Sequence, residues 1–294
     1  MKSAALVFLA AFLALSASWG GFVLAPQLQL GRGAQAKALI TEDLYPLARP
    51  GLARQGLEVY RANGCMYCHT QQVRQEGTHV EIYLTEGGTN AAGVLAALQR
   101  LSPALAQSET LDSLPVKVVE VEDMVAADRA LKTLKDAGGK AETVIVPTGA
   151  DLARGWGRRR TVAQDFLYDQ PVQPGVMRIG PDLANIGLRP YDADWHYRHL
   201  YAPASVVENS KMPPYRYLFE KRKAGAEPSP EALKLSGAAA PENGYEIVPK
   251  PEAKALVAYL LNLRAEAPLF ESPYTPPPAG APATNTAPTT AAVP

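Results

Sequence analysis

Two cysteines are all that this chain of 294 residues contains, and they stand three positions apart with a histidine directly after them: Cys65-Met66-Tyr67-Cys68-His69. No other feature restricts the fold as much. Two thiols at this spacing near a helix end can each add to a haem vinyl group, and the adjacent imidazole then falls under the iron. A redox-active dithiol is one competing reading, but it calls for a thioredoxin-like strand before the motif, and Gly51 to Asn63 carries helical spacing instead. A zinc site would need a further ligand from His79, His196 or His199, and two cysteines alone make neither a four-cysteine site nor a disulfide framework. The expected cofactor is one covalent haem c, attached through Cys65 and Cys68, with His69 as the proximal iron ligand.

The distal ligand must come from downstream. Met177, Met212, His196 and His199 are the candidates, because Met66 is pinned inside the attachment loop. Met212 is favoured, since Asn209-Ser210-Lys211-Met212-Pro213-Pro214 is a proline-stiffened loop able to hold a thioether at fixed distance. Met177 reads as packing. His196 and His199 are the fallback, with a face lying near the haem edge as their alternative role. A His–Met pair raises the reduction potential relative to a bis-His pair.

The N-terminus sets a compartment. From Ala4 to Ala25 there is no charge, and a helix of that length spans about 33 Å, enough for the hydrocarbon core of a bilayer. A cleaved signal peptide is the alternative, with small residues at Ser16-Ala17-Ser18. The run is longer than a usual signal core and continues through Trp19, Phe22, Val23 and Leu24, which favours an uncleaved anchor contacting membrane lipid. Lys+Arg equals Asp+Glu at 29 each, so no charge excess points to nucleic acid.

The expected organisation is an anchor over 1–30, a linker over 31–50, a domain built from 51–75 and 150–271, an insertion over 76–149, and a disordered Pro/Ala/Thr tail over 272–294. Helical spacing covers Gly51 to Asn63, with Leu52, Gly56, Val59 and Tyr60 on one face. It recurs over Lys250 to Glu266 through Ala255, Leu256, Tyr259, Leu260 and Leu263. The insertion carries 11 acidic and 6 basic residues. It reads as a small α+β unit: strands at His79–Leu84, Val116–Val121 and Thr143–Val146, and helices at Asn90–Leu101 and Asp123–Ala137.

Gly56 and Tyr60 before the haem motif, with Leu256 to Leu260 near the end, resemble the crossing terminal helices of class I cytochromes c. Gly64 to Arg74, Gly155 to Thr161, Arg178 to Leu183 and Asp194 to Leu200 with the segment to Met212-Pro213 resemble the membrane-anchored monohaem subunit of cbb-type, C-family haem-copper cytochrome c oxidases. The fold implied is mainly α: a transmembrane helix and a class I cytochrome c domain interrupted by the insertion. The resemblance implies that the Pro181 carbonyl meets the other nitrogen of His69, and that Arg158, Arg159 and Arg160 contact haem propionates or a partner. It also implies electron relay from a dihaem subunit, or from soluble cytochrome c, to a catalytic subunit with b-type haems and copper. The chain would then be an electron carrier with no catalytic residue of its own, single-pass in the bacterial inner membrane with its haem domain on the periplasmic side. A nitric oxide reductase monohaem subunit and a haem-based sensor are the alternatives. The insertion, ordered β-α-α-β-α-β, is similar to the C-terminal domain of the bacterial ribosomal stalk protein. Its first helix has only Arg100 as a basic residue, so translation-factor binding is not carried over.

Overall fold

The computed structural model describes residues 2–30, 35–38, 43–265 and 267–269. The expected tail over 272–294 and parts of the expected linker lie outside the described residues. The chain begins with helix α1 (Lys2–Trp19), a π-helical turn (Gly20–Leu24) and α2 (Ala25–Leu30). Ala4–Leu24, with mean hydropathy 2.0 and none of it buried, is long and apolar enough to cross a membrane. Short strands β1 (Ala36–Lys37) and β2 (Leu44–Tyr45) pair antiparallel. Helix α3 (Gly51–Ala62) buries Ala53, Gly56, Leu57 and Tyr60, an i, i+3, i+4, i+7 stripe. The expected face was turned by one position: Leu52 is exposed, and Ala53 and Leu57 take the inner places. Asn63 ends the helix, its side chain donating to the Val59 carbonyl at 2.7 Å, and Gly64 turns the chain in a left-handed conformation.

Two compact units follow from the way the chain packs: residues up to 73 with 155–267, and a second centred on 74–154. In the second, β3 (Gly77–Glu86) lies between β4 (Val116–Val121) and β5 (Lys140–Thr148), all antiparallel. Helices α4 (Ala91–Leu101) and α5 (Ser108–Asp112) separate β3 from β4, and α6 (Met124–Asp136) separates β4 from β5. Val80, Ile82 and Leu84 alternate inward from β3 against Val94, Ala97 and Leu98 of α4 and Ala127, Ala130 and Leu134 of α6. Asn90 and Asp123 cap α4 and α6, each accepting from the backbone N–H three residues on, so both helices start one residue later than the spacing suggests. Gly77 pairs with Thr148 across the first and last strands, and the Glu76 N–H donates to the Thr148 carbonyl at 2.8 Å. The unit's entry and exit therefore run side by side, closed by the buried Asp151 carboxylate accepting from the Arg74 N–H. A short helix α7 (Ala150–Ala153) ends it.

The first unit resumes at 155. After a stretch of turns come α8 (Ala193–Tyr201), the hairpin β6 (Phe219–Lys223) and β7 (Tyr245–Pro249), and α9 (Pro251–Leu261). Helices α3 and α9 pack at Gly56, where a Cβ would overlap the Ala255 carbonyl. Only glycine lets the two backbones approach so closely. Tyr60 and Tyr259 meet beside the crossing, ring centroids 5.3 Å apart. Helix α9 stops about one turn earlier than the spacing predicts: the Asn262 side chain donates back to the Ala258 carbonyl, and Leu263 and Ala265 bond to Gly187 and Asn185 instead. The end of the expected linker is fastened to this unit. The Tyr45 hydroxyl donates to Asp165 at 2.7 Å, and Arg49 holds buried Asp169 through two 2.8 Å bonds.

Candidate functional site

Past Gly64, the segment Cys65–Tyr67 forms a single 3-10 turn, with the Cys68 and His69 N–H groups both donating to the Cys65 carbonyl. This turn presents the two cysteines and the imidazole in sequence. Both cysteines are free thiols; Cys65 is buried and Cys68 half-buried. Burial pushes the Cys65 thiol up to about 12.

The return segment 174–183 laces this loop from outside the motif. Val176, Gly180 and Leu183 donate backbone N–H bonds to the Met66, Cys68 and Thr70 carbonyls, and Gln71 donates to the Pro174 carbonyl. The His69 Nδ1 lies 2.8 Å from the Pro181 carbonyl. A carbonyl only accepts, so Nδ1 carries the proton and Nε2 keeps the lone pair; Nε2 forms no hydrogen bond among the described residues. Burial lowers the His69 pKa below its ordinary value, and the Pro181 bond opposes the shift. A Cβ on Gly180 would overlap the His69 ring, so the backbone passes there only as glycine.

Asp182 organises this region and went unnoticed in the sequence as a functional residue. Fully buried, it accepts from the Thr70 hydroxyl at 2.6 Å and the Gln72 N–H at 2.7 Å through Oδ2, and from the Ala184 N–H at 2.9 Å through Oδ1. Arg178 donates to the Thr70 hydroxyl and the Gln72 carbonyl, and its guanidinium lies 5.4 Å from the Trp156 ring centre. The only hint in the sequence was the close grouping of Arg178, Gly180, Pro181 and Asp182.

Met212 is half-buried and packs against the same apolar cluster that contains Cys65, Leu200 and Leu256. Its loop is tied on two sides: the Tyr215 N–H donates to the Leu200 carbonyl at the end of α8, and the Tyr217 hydroxyl bonds Asn63 at the end of α3. Met177 is 50% exposed and lies outside that cluster's buried set. His196 and His199, three apart on α8, are both largely enclosed. The His196 Nε2 and the His199 Nδ1 are buried without a hydrogen-bond partner among the described residues. Burial lowers the pKa of each to about 4.

The arginine triplet divides. Arg159 is 7% exposed and commits four N–H groups to the chain itself: two to Asp165, one to the Arg160 carbonyl and one to the Ala267 carbonyl. The Arg159 guanidinium is thus held by a buried carboxylate and two backbone carbonyls. Arg158 and Arg160 are exposed. Beside the pair a cavity of about 440 Å³ is lined by Tyr45, Arg49, Asp165 and Asp169, whose charged groups are already matched to one another.

On the sheet of the second unit, His79, Glu81 and Glu120 place ligand-type atoms within 4.8 Å of one another. The Lys117 ammonium lies 2.9 Å from Glu81 and 3.4 Å from Glu120, so the carboxylates already have a cation.

The residues of the first unit fit one haem c. Two free thiols lie at attachment spacing, one imidazole has its tautomer fixed with Nε2 open, and a thioether sits on the same cluster. Two enclosed imidazole nitrogens on α8 still lack partners. This donor set is of the kind that a c-type haem would use. Residues 144–242 match the family model described as cytochrome c oxidase, mono-heme subunit/FixO. The match supports that family and starts inside β5, ahead of the expected boundary at 150; the Cys65–His69 motif lies outside it, on the other side of the inserted unit. Large ribosomal subunit protein bL12 from two strains of Burkholderia ambifaria is 39% identical over 69 residues, 23% of this chain. The chain spans about half the length of these curated relatives, 56% of each.

Proposed function

We propose that this chain is the anchored monohaem subunit of a cbb-type cytochrome c oxidase, relaying single electrons to a catalytic subunit that reduces oxygen. The observation that carries the reading is the bond from His69 Nδ1 to the Pro181 carbonyl. It joins the attachment motif to a segment inside the stretch that matches the mono-haem subunit family.

When bound, the haem supplies a one-electron iron couple. Cys65 and Cys68 hold it as thioethers. His69 offers Nε2 to the iron, oriented by Pro181, and a carbonyl on Nδ1 makes the imidazole a stronger donor. Met212 is the distal ligand in this reading, supported by its place on the Cys65 cluster and its doubly tied loop. The crossing of α3 and α9 at Gly56 supports a class I cytochrome c fold for the first unit. The apolar run Ala4–Leu24 supports a single-pass anchor, with the haem unit on the periplasmic side where haem is attached. A dihaem subunit or soluble cytochrome c is the donor, and a subunit with b-type haems and copper the acceptor. We assign the bL12 likeness to the unit centred on 74–154, whose β-α-α-β-α-β order agrees with it, and the role proposed for that unit is docking or spacing within the complex.

The test is to tag the chain, extract it gently from membranes, and assay what co-purifies. Covalent haem c with copper, b-type haem and cyanide-sensitive oxygen uptake would support the oxidase. Non-haem iron with nitric oxide consumption would replace it with a nitric oxide reductase, and carbon monoxide binding to the reduced isolated chain would favour a sensor.

A further inference from the structure

Once haem c is joined through its vinyl groups and its iron is ligated, the macrocycle keeps only two strong hydrogen-bond acceptors, the propionate carboxylates. The remaining periphery is apolar. Two buried ring nitrogens without partners, set close together on one helix of the same unit, are therefore candidates for the propionates. We propose that His196 and His199 are the residues that hold them, an assignment resting on the haem reading above.

Two enclosed ring nitrogens carry the argument. His196 is 3% exposed and His199 half-buried; the His196 Nε2 and the His199 Nδ1 are themselves enclosed, and neither has a hydrogen-bond partner among the described residues. Leaving one such group unsatisfied is costly, and here two stand three residues apart on one helix, hence on one side of it. Neither ring is free to seek another partner. Trp195 stacks on His199 with centroids 4.7 Å apart, and His196 stands edge-on to Trp195 at 5.1 Å. Tyr191 stacks on Trp195 in turn, at 4.0 Å, and Asp192 caps the helix by accepting from the Trp195 N–H. Rings locked in this way are preorganised for a ligand group that arrives later.

Helix α8 is attached to the rest of the haem site. Leu200 shares the apolar cluster with Cys65 and Met212, and the Leu200 carbonyl anchors the Met212 loop. Arg159, the most enclosed of the three arginines, is committed to Asp165 and does not compete for the propionates. Neutral imidazole N–H groups can hold the propionates without burying a second pair of charges.

An N–H donated to a propionate offsets part of its negative charge, and that charge favours the ferric state. Removing the donor should therefore lower the reduction potential. The full chain would be prepared with His196→Leu, His199→Leu, His196→Gln and His199→Gln, using haem carrying ¹³C-labelled propionates. Each variant would be measured by potentiometric titration and redox-difference infrared spectroscopy. The expected result is a lower potential and a shifted labelled carboxylate band in the leucine variants, return toward wild type in the glutamine variants, and an unchanged thioether-to-iron charge-transfer band in all four. If one leucine variant fails to load haem, the other carries the comparison. Unchanged potential and carboxylate bands in the leucine variants would overturn the proposal. Loss of low-spin axial ligation in a leucine variant would overturn it too, by making that histidine an iron ligand. Failure of the underlying haem reading is seen separately, as wild-type protein without covalent haem in a pyridine haemochrome assay.

Discussion

Replacing Asp182 by alanine removes the acceptor for three donors at once. The Thr70 hydroxyl and the Ala184 N–H belong to residues each 4% exposed, so water cannot reach them readily; Gln72 is exposed and its N–H is easily rehydrated. At about 1–3 kcal/mol for each buried donor left unsatisfied, and less for Gln72, the loss comes to about 4 kcal/mol. For a protein of this size that lowers the thermal midpoint by about 8–16 °C. Asp182→Asn should cost less. Its carbonyl oxygen can keep the two bonds made by Oδ2, but its amide then faces the Ala184 N–H, donor against donor, for about 1–3 kcal/mol. Both variants also loosen the segment that brings the Pro181 carbonyl to His69. A weaker bond at Nδ1 makes the imidazole a poorer donor to iron, so the potential should rise. The assay is thermal unfolding of the detergent-solubilised full chain followed at the haem Soret band, with a potentiometric titration of each variant. If Asp182→Ala unfolds within about 3 °C of wild type at unchanged potential, Asp182 does not organise the site.

At the helix crossing, Gly56→Ala should destabilise by about 2 kcal/mol in denaturant titrations even though alanine is the better helix former by about 1 kcal/mol, because its Cβ meets the Ala255 backbone; a more stable variant would disprove the close approach. Asp169→Ala should cost about 3 kcal/mol by stranding Arg49, and adding Arg49→Leu should recover part of that loss, as a double-mutant cycle would reveal. Burial raises the pKa values of Tyr45, Tyr60 and Tyr259. The unfolded chain ionises these phenols near pH 10 and the folded chain does not, so stability is complete below about 10 and falls as pH rises beyond it. Tyrosinate absorbance should then lag until cooperative unfolding, and an immediate rise for all thirteen tyrosines near pH 10 would refute the burial. Tyr259→Phe, which breaks the bond to Gln71, should cost about 1 kcal/mol, whereas Tyr60→Phe removes a hydroxyl without a hydrogen-bond partner among the described residues and should cost nothing measurable in the same titrations.

The features legible in the sequence are local. The cysteine–histidine run, the uncharged N-terminal stretch, and the periodicity of α3, α4, α6 and α9 all depend on residues a few positions apart. Spacing at that range is set by backbone geometry and can be read directly. Tertiary structure decided the rest, because it concerns where the chain returns. The free nitrogen of His69 is set by a carbonyl 112 residues away, and the Asp182 bonds to Thr70 and Gln72 span similar distances. Three adjacent arginines look alike in sequence, yet only Arg159 is enclosed, because Asp165, Tyr45 and Ala267 converge on it. The inner face of α3 was legible to within one residue; its final setting came from α9, whose backbone fits only over Gly56. Proline and glycine content made 31–50 look like a linker, but Tyr45 and Arg49 found carboxylates 120 residues further along the chain. Periodicity records which side of a helix is apolar, whereas the partner of a buried charge is fixed only when distant segments pack together.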